Sequence, residues 1–236
     1  TGDNAIYCSQ GHNLQMSSIF GMQALKMMGA SSGRQGQLVD EGIQSLILHE
    51  IGHTLGLNHN MKASQTFTID QLADAAFVAE NGLTGSVMDY APVHLTSLGQ
   101  QQAGFFDVKP GPYDDWAIEF GYSPALQGTD GEANRVALLN RSTEPQLTFG
   151  NDADDMRSPG GGIDPRVNVN DMSADAITYA SNRIALVDEI LGELSGKVGT
   201  EGESYQELLN AYLVMTYEFA SSARSISRYV GGVHVN

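Results

Sequence analysis

The stretch His49-Glu50-Ile51-Gly52-His53-Thr54-Leu55-Gly56-Leu57-Asn58-His59 decides how the rest of the chain is read. It has the form H-E-x-x-H-x-x-G-x-x-H. On a helix of about 3.6 residues per turn, His49 and His53 stand one turn apart on the same face, so both imidazoles reach one metal ion. His59 comes six residues after His53 and cannot lie on that face, which predicts that the helix stops and the chain turns back before it. Gly56 allows the turn, because a left-handed backbone costs glycine almost nothing. Three neutral histidines make a catalytic type of zinc site, with the fourth position open to water or substrate. Glu50, beside the first histidine, is placed to act without binding the metal. Zinc lowers the pKa of a bound water from about 15.7 towards about 7, and a carboxylate at this position takes the proton as that water attacks a carbonyl. Five fixed positions with three histidines arise by chance in well under about one in ten thousand chains of this size at average residue usage. That sets a metal site above histidines that only pack or cap a helix.

With 236 residues, 41% of them hydrophobic, the chain can bury one good core or two small ones. Twelve basic against twenty-eight acidic residues give a formal charge of −16, which argues against a nucleic-acid or anionic-membrane partner. The single cysteine, Cys8, rules out a disulfide within these residues and leaves the redox compartment unread. No run of about eighteen apolar residues and no charged-then-apolar leader is present, so neither a membrane span nor a signal peptide is expected within this sequence. It begins at Thr1-Gly2-Asp3 without an initiator methionine, and it is expected to be part of a longer protein.

Working outward from the motif, Leu14, Ile19, Phe20, Met22, Leu25 and Met28 recur at three- and four-residue steps and predict an amphipathic helix over about 13–30. Gly29 and the Ser31-Ser32-Gly33 loop end it. Asp40 is the expected cap of the next helix, about 41–55, which carries the histidines. Thr68-Ile69-Asp70-Gln71 has the form of a capping box and starts a helix to about Glu80, broken by Asn81-Gly82. Residues 113–122 predict a short acidic and aromatic helix stopped by Gly121, with Trp116, Ile118 and Phe120 as core candidates and Asp114 and Asp115 capping it or pairing with a neighbour. A further helix is expected over about 130–141. Ile177, Ala180, Ile184, Val187, Leu191 and Leu194 form an apolar stripe on one long helix; Tyr205, Leu208, Tyr212, Met215, Phe219, Ala223 and Ile226 form one on a second, begun at Ser204-Tyr205-Gln206-Glu207. The two are expected to pack antiparallel as an appendage. The fold class is therefore mainly α with little sheet. It divides into 1–125 with the histidine helix, an Asp/Gly-rich connection over 126–172, and a C-terminal helical hairpin over 173–236.

Two other segments bear on chemistry. Asn151-Asp152-Ala153-Asp154-Asp155, with Asp164 and Asp171, is the densest acidic region, and closely spaced oxygens in a Gly-rich loop can bind Ca2+. The spacing does not fit an EF-hand loop, and surface or capping aspartates are the competing explanation. His94 either lines a substrate pocket or is a bystander.

Ser86-Val87-Met88-Asp89-Tyr90, about thirty residues after His59, resembles the Met-turn of the metzincin metallopeptidases. Together with H-E-I-G-H-T-L-G-L-N-H-N, Y-D-D-W-A-I-E-F-G-Y, D-P-R-V-N-V and the N-R-I helix, it resembles a family of large bacterial zinc-dependent metzincins over nearly the whole chain. The resemblance implies His49, His53 and His59 as ligands of one catalytic Zn2+, Glu50 as general base, and Met88 as an apolar floor beneath the metal. Tyr90 matches a tyrosine that in some metzincins hydrogen-bonds the tetrahedral intermediate; a purely packing role is the alternative. The implied function is that of a zinc metalloendopeptidase acting on a protein or peptide substrate, secreted or otherwise exported from the cell. Metzincins also carry an upper subdomain with a mixed sheet before the zinc helix. Here the roughly forty preceding residues read as helix, so the chain looks like the lower half of such a domain, with the sheet encoded upstream. A rival of another class is a zinc-stabilised binding or scaffold module without catalysis. Cleavage of a protein substrate that stops with a chelator separates the two.

Overall fold

The computed structural model describes residues 10–96, 102–152, 162–198, 202 and 204–235, so Cys8 lies outside the described residues. Among these residues the regular structure is helical, with no strand. In chain order the helices are α1 (Gln10–Met27), α2 (Ser32–Thr54), α3 (Ile69–Ala73), α4 (Ala75–Asn81), α5 (Pro112–Tyr122), α6 (Gly131–Asn140), α7 (Ala176–Val198) and α8 (Gln206–Ser227). None is long and apolar enough to cross a membrane.

α1 ends in a Schellman arrangement: Gly29 adopts φ +70°, and the N–H groups of Gly29 and Ala30 reach back to Lys26 and Leu25. This frees α2 to start at once, and it starts earlier than the sequence predicts. Its cap is Ser31, whose side chain accepts from the Arg34 N–H, whereas Asp40 is an exposed residue inside the helix. Gly33 and Gly36 disguise this first turn as a loop. Each glycine costs about 1 kcal/mol, but the turn is held by tertiary packing at Leu38, which is fully buried beneath α1.

One core joins α1, α2, Val93, Leu95, Phe105 and Phe106, and both C-terminal helices. Phe20, Leu25, Leu38, Phe105, Val187 and Met215 all belong to it. The antiparallel α7–α8 pair therefore shares the core of α1 and α2. Its inward faces differ from the predicted stripes. α7 buries Ala176, Ala180, Arg183, Leu186, Val187, Ile190 and Leu194, leaving Ile177 exposed. The shift follows from Arg183, a buried charge bonded by Glu218 at 2.7 Å and by the Val93 carbonyl, over the Phe20 ring. α8 turns small residues inward, Ala211, Ser222 and Ser225 around Met215, and leaves Tyr212 and Phe219 outside. Small inward residues let the two helices approach closely.

The Thr68–Gln71 capping box forms as predicted. The expected helix beyond it is split at Asp74, whose side chain accepts from Ala76 and Phe77 and so caps α4 anew. α5 buries only Asp114; Trp116 and Ile118 are half-buried and Phe120 is exposed, so these three are not core. Tyr113, Trp116, Phe120 and Phe149 instead line an open groove against Leu55–Asn58.

His94 is a core residue, with Nε2 at 3.1 Å from the Leu72 carbonyl and Nδ1 at 3.3 Å from the Tyr179 hydroxyl. Burial pushes it down to about 4. Burial acts in the other sense on Asp171, raising it to about 7 against hydrogen bonds from Ser64 and Gln65. An unfolded chain ionises Asp171 near 3.9. Its contribution to stability is therefore complete below about pH 4 and is lost as pH rises to about 7, at a cost on the order of a few kcal/mol. In Asp171→Asn that loss disappears. The melting temperature of the variant relative to wild type is expected to climb by several degrees between pH 5 and pH 8, and this difference cancels the opposing effect of His94. Parallel pH profiles for the two proteins would refute the burial argument.

Candidate metal centre

The α2 helix ends one residue past the second histidine. Gly56 takes φ +88°, its N–H reaching the His53 carbonyl and the Leu57 N–H that of Gly52, both at 3.0 Å. This is the turn the motif demands, and it carries His59 back over the helix. His49, His53 and His59 then offer ring nitrogens that all lie within 4.8 Å of one another, the Nε2 atoms of His53 and His59 being 3.1 Å apart. In every ring Nδ1 is engaged by the protein. His49 Nδ1 lies 2.7 Å from the Val87 carbonyl, His53 Nδ1 3.1 Å from the Leu57 carbonyl and His59 Nδ1 3.1 Å from Asp152 Oδ1. Donation from Nδ1 fixes the tautomer with a bare Nε2, which assigns Nε2 to a metal. Burial pushes His49 down to about 4, partly opposed by the Val87 bond, so this ring is neutral and ligand-competent at neutral pH. The donor set, three converging imidazoles, fits Zn2+ with room for a fourth ligand.

Met88 is fully buried against α2, and its sulfur occupies the space that a Cβ on Gly52 would need. Its backbone is held at both ends: Met88 N–H donates to Ser86 Oγ and its carbonyl accepts from the Asn60 N–H at 3.1 Å. Tyr90 extends from the same turn, its hydroxyl 3.2 Å from His59 Nε2. The turn itself is pinned by Asp114 at the start of α5. That carboxylate accepts from Ser86 Oγ at 2.5 Å, Val87 N–H at 2.8 Å and Gly111 N–H at 2.9 Å. Because Val87 is also the residue whose carbonyl orients His49, α5 is mechanically linked to the first imidazole. Glu50, the residue after His49, is exposed, and its side chain makes no hydrogen bond among the described residues.

The model of the Met-zincin family covers residues 31–236. This chain is a Met-zincin. No curated protein and no solved structure matches it. The family places the histidine cluster within a zinc metallopeptidase-like domain, and the mainly helical Met-zincin fold described above presents it at the end of α2.

The acidic region of this Met-zincin does not form an oxygen cage among the described residues, where the histidines make the one metal-competent cluster. Asp152 faces His59. Asp164 pairs with Lys62 at 3.1 Å and Arg166 at 2.8 Å. Asp171 is bonded to Ser64 and Gln65. Asp154 and Asp155 lie outside the described residues. Sequence reasoning places His49, Glu50, His53, His59, Met88 and Tyr90 at one site, and the structure brings the three histidines, Met88 and Tyr90 together. It misses Val87 and Leu57, which act through backbone carbonyls that any residue supplies. It also misses Asp152, ninety-three positions from its partner.

Proposed function

We propose that this Met-zincin is a zinc-dependent endopeptidase that hydrolyses peptide bonds with Glu50 as general base. The observation that carries the proposal is the convergence of three imidazoles within 4.8 Å next to an exposed carboxylate without a hydrogen-bond partner among the described residues. His49, His53 and His59 would hold a zinc ion, which would supply Lewis-acid polarisation and lower the pKa of water towards about 7. Glu50 accepts the proton of the attacking water and passes it to the leaving amine. Tyr90 donates its O–H to the oxyanion of the tetrahedral intermediate, a role supported by its position 3.2 Å from His59 Nε2. Met88 closes the site from below as the Met-turn of this enzyme, keeping the ligands on a dry apolar floor.

The substrate-binding sheet expected from the metzincin plan belongs, in this reading, to polypeptide upstream. Val39, Ile43, Ile47, Ile51 and Leu55 support it: they recur every four residues along α2 and each is more than 40% exposed. Such a stripe on the helix that bears the ligands is a face for a partner layer. Export from the cell rests on the family resemblance, and fractionation of cells producing the natural protein tests it; an entirely cytosolic product would contradict it.

The functional test compares this chain, and a longer gene product that contains it, on an unfolded protein substrate. Cleavage is expected from the longer form, weak or absent from the isolated chain, abolished by a zinc chelator and restored by added zinc. Cleavage that survives complete zinc removal, or a zinc-loaded longer form that cleaves nothing, would leave the scaffold reading in its place.

A further inference from the structure

We propose that Asp152 is a positioning residue of the metal centre, holding His59 in its ligand orientation and raising its donor strength. The proposal rests on the three-histidine reading of the site and adds a residue that neither the motif nor the family assigns.

His49 and His53 ride on a helix, and their rings are steered by backbone carbonyls, that of Val87 for His49 and that of Leu57 for His53. His59 lies beyond the helix end, in the chain that follows Gly56. A ligand on irregular chain needs an external brace, and Asp152 supplies it through Oδ1 at 3.1 Å from His59 Nδ1. The acceptor also differs in kind. A carboxylate accepts a charge-assisted bond, stronger than one to a peptide carbonyl, and pulls electron density towards Nε2.

The contact is built, because the two segments that meet are laced together beside it. Asn60 Nδ2 donates to the Thr148 carbonyl at 2.9 Å, Gly150 N–H donates to Asn60 Oδ1 at 3.1 Å, and Met61 N–H donates to the Gly150 carbonyl at 2.8 Å. Residues 148–150, two to four positions before Asp152, thus run against residues 60–61, one or two positions beyond His59. Gly150 has no room for a Cβ, which would strike Val167, so the close approach is itself specified by sequence. Three fixed hydrogen bonds place the Asp152 carboxylate before any metal arrives. A casual surface ion pair would have no such scaffold and would contribute little.

The test measures metal binding, not turnover. Zinc affinity of wild type, Asp152→Asn and Asp152→Ala is determined by competition with a chromophoric chelator, and the visible spectrum of the cobalt(II) forms is recorded. Asp152→Ala is expected to weaken zinc by about 10- to 100-fold and to shift the cobalt bands. Asp152→Asn, which keeps an acceptor oxygen and loses the charge, should fall between the two. Melting of the metal-free proteins should be the same, since the Asp152 side chain is 35% exposed. Zinc affinities within twofold of wild type with superimposable cobalt spectra would overturn the role of Asp152 while leaving the centre intact. A wild-type chain that takes up no zinc would overturn the centre and this proposal together.

Discussion

In the Glu50→Gln variant, peptide hydrolysis is expected to fall by about 100- to 10,000-fold, the range that general-base catalysis contributes, with zinc still bound one-to-one. The substitution is nearly isosteric and falls on an exposed side chain with no hydrogen-bond partner among the described residues, so melting should not change. Glutamine cannot take a proton from water, which isolates the base from every other part of the site. Glu50→Asp draws the carboxylate back by one methylene and should give intermediate activity, because a base must lie within hydrogen-bond reach of the proton it removes. Both variants are assayed in the form of the protein that cleaves substrate. Undiminished kcat in Glu50→Gln would remove Glu50 from the mechanism without touching the zinc assignment.

The parts of this molecule that are legible in sequence are those with one local solution. A glycine three residues after a helical histidine, followed by a third histidine, leaves the chain little choice but a left-handed turn, and Gly56 makes it. Thr68 and Gln71 satisfy each other across one turn and need nothing else. The start of α2 is illegible for the opposite reason: Ser31 caps a first turn weakened by two glycines, and what sustains that turn is Leu38 packing under α1, a tertiary contact. In the α7 stripe Ala180, Val187 and Leu194 are buried as expected, and the reading errs at Ile177, which is exposed, and at Arg183, which periodicity counts as outward. Its partner Glu218 lies on the next helix and its other acceptor, the Val93 carbonyl, ninety residues back. The same limit applies at the site. A motif names the atoms that hold the metal, whereas the groups that aim His49 and His59, the Val87 carbonyl and Asp152, are recognisable only once distant segments meet.

Asp114 shows how far that second layer reaches. It is buried at the N-terminus of α5, and burial raises its pKa while its three hydrogen bonds work against the shift. In Asp114→Ala, Ser86 Oγ, Val87 N–H and Gly111 N–H lose one acceptor together. Leaving buried donors unsatisfied costs about 1–3 kcal/mol each, so a total of roughly 3–5 kcal/mol is expected after partial relaxation, which for a chain of this size lowers the melting temperature by about 10 °C. The effect should not stop at stability. Val87 is released from its brace, its carbonyl drifts from His49 Nδ1, and the first imidazole loses the partner that fixes its ring. Zinc affinity should therefore fall by about 10-fold or more, as when other outer partners of metal ligands are removed. Asp114→Asn keeps one carbonyl oxygen for part of the network and should lose less of both. Calorimetry of the metal-free proteins and chelator competition on the same samples separate the two readouts. A destabilised Asp114→Ala that binds zinc like wild type would show that the 86–88 turn holds its shape without α5, and would cut the link from Asp114 through Val87 to His49.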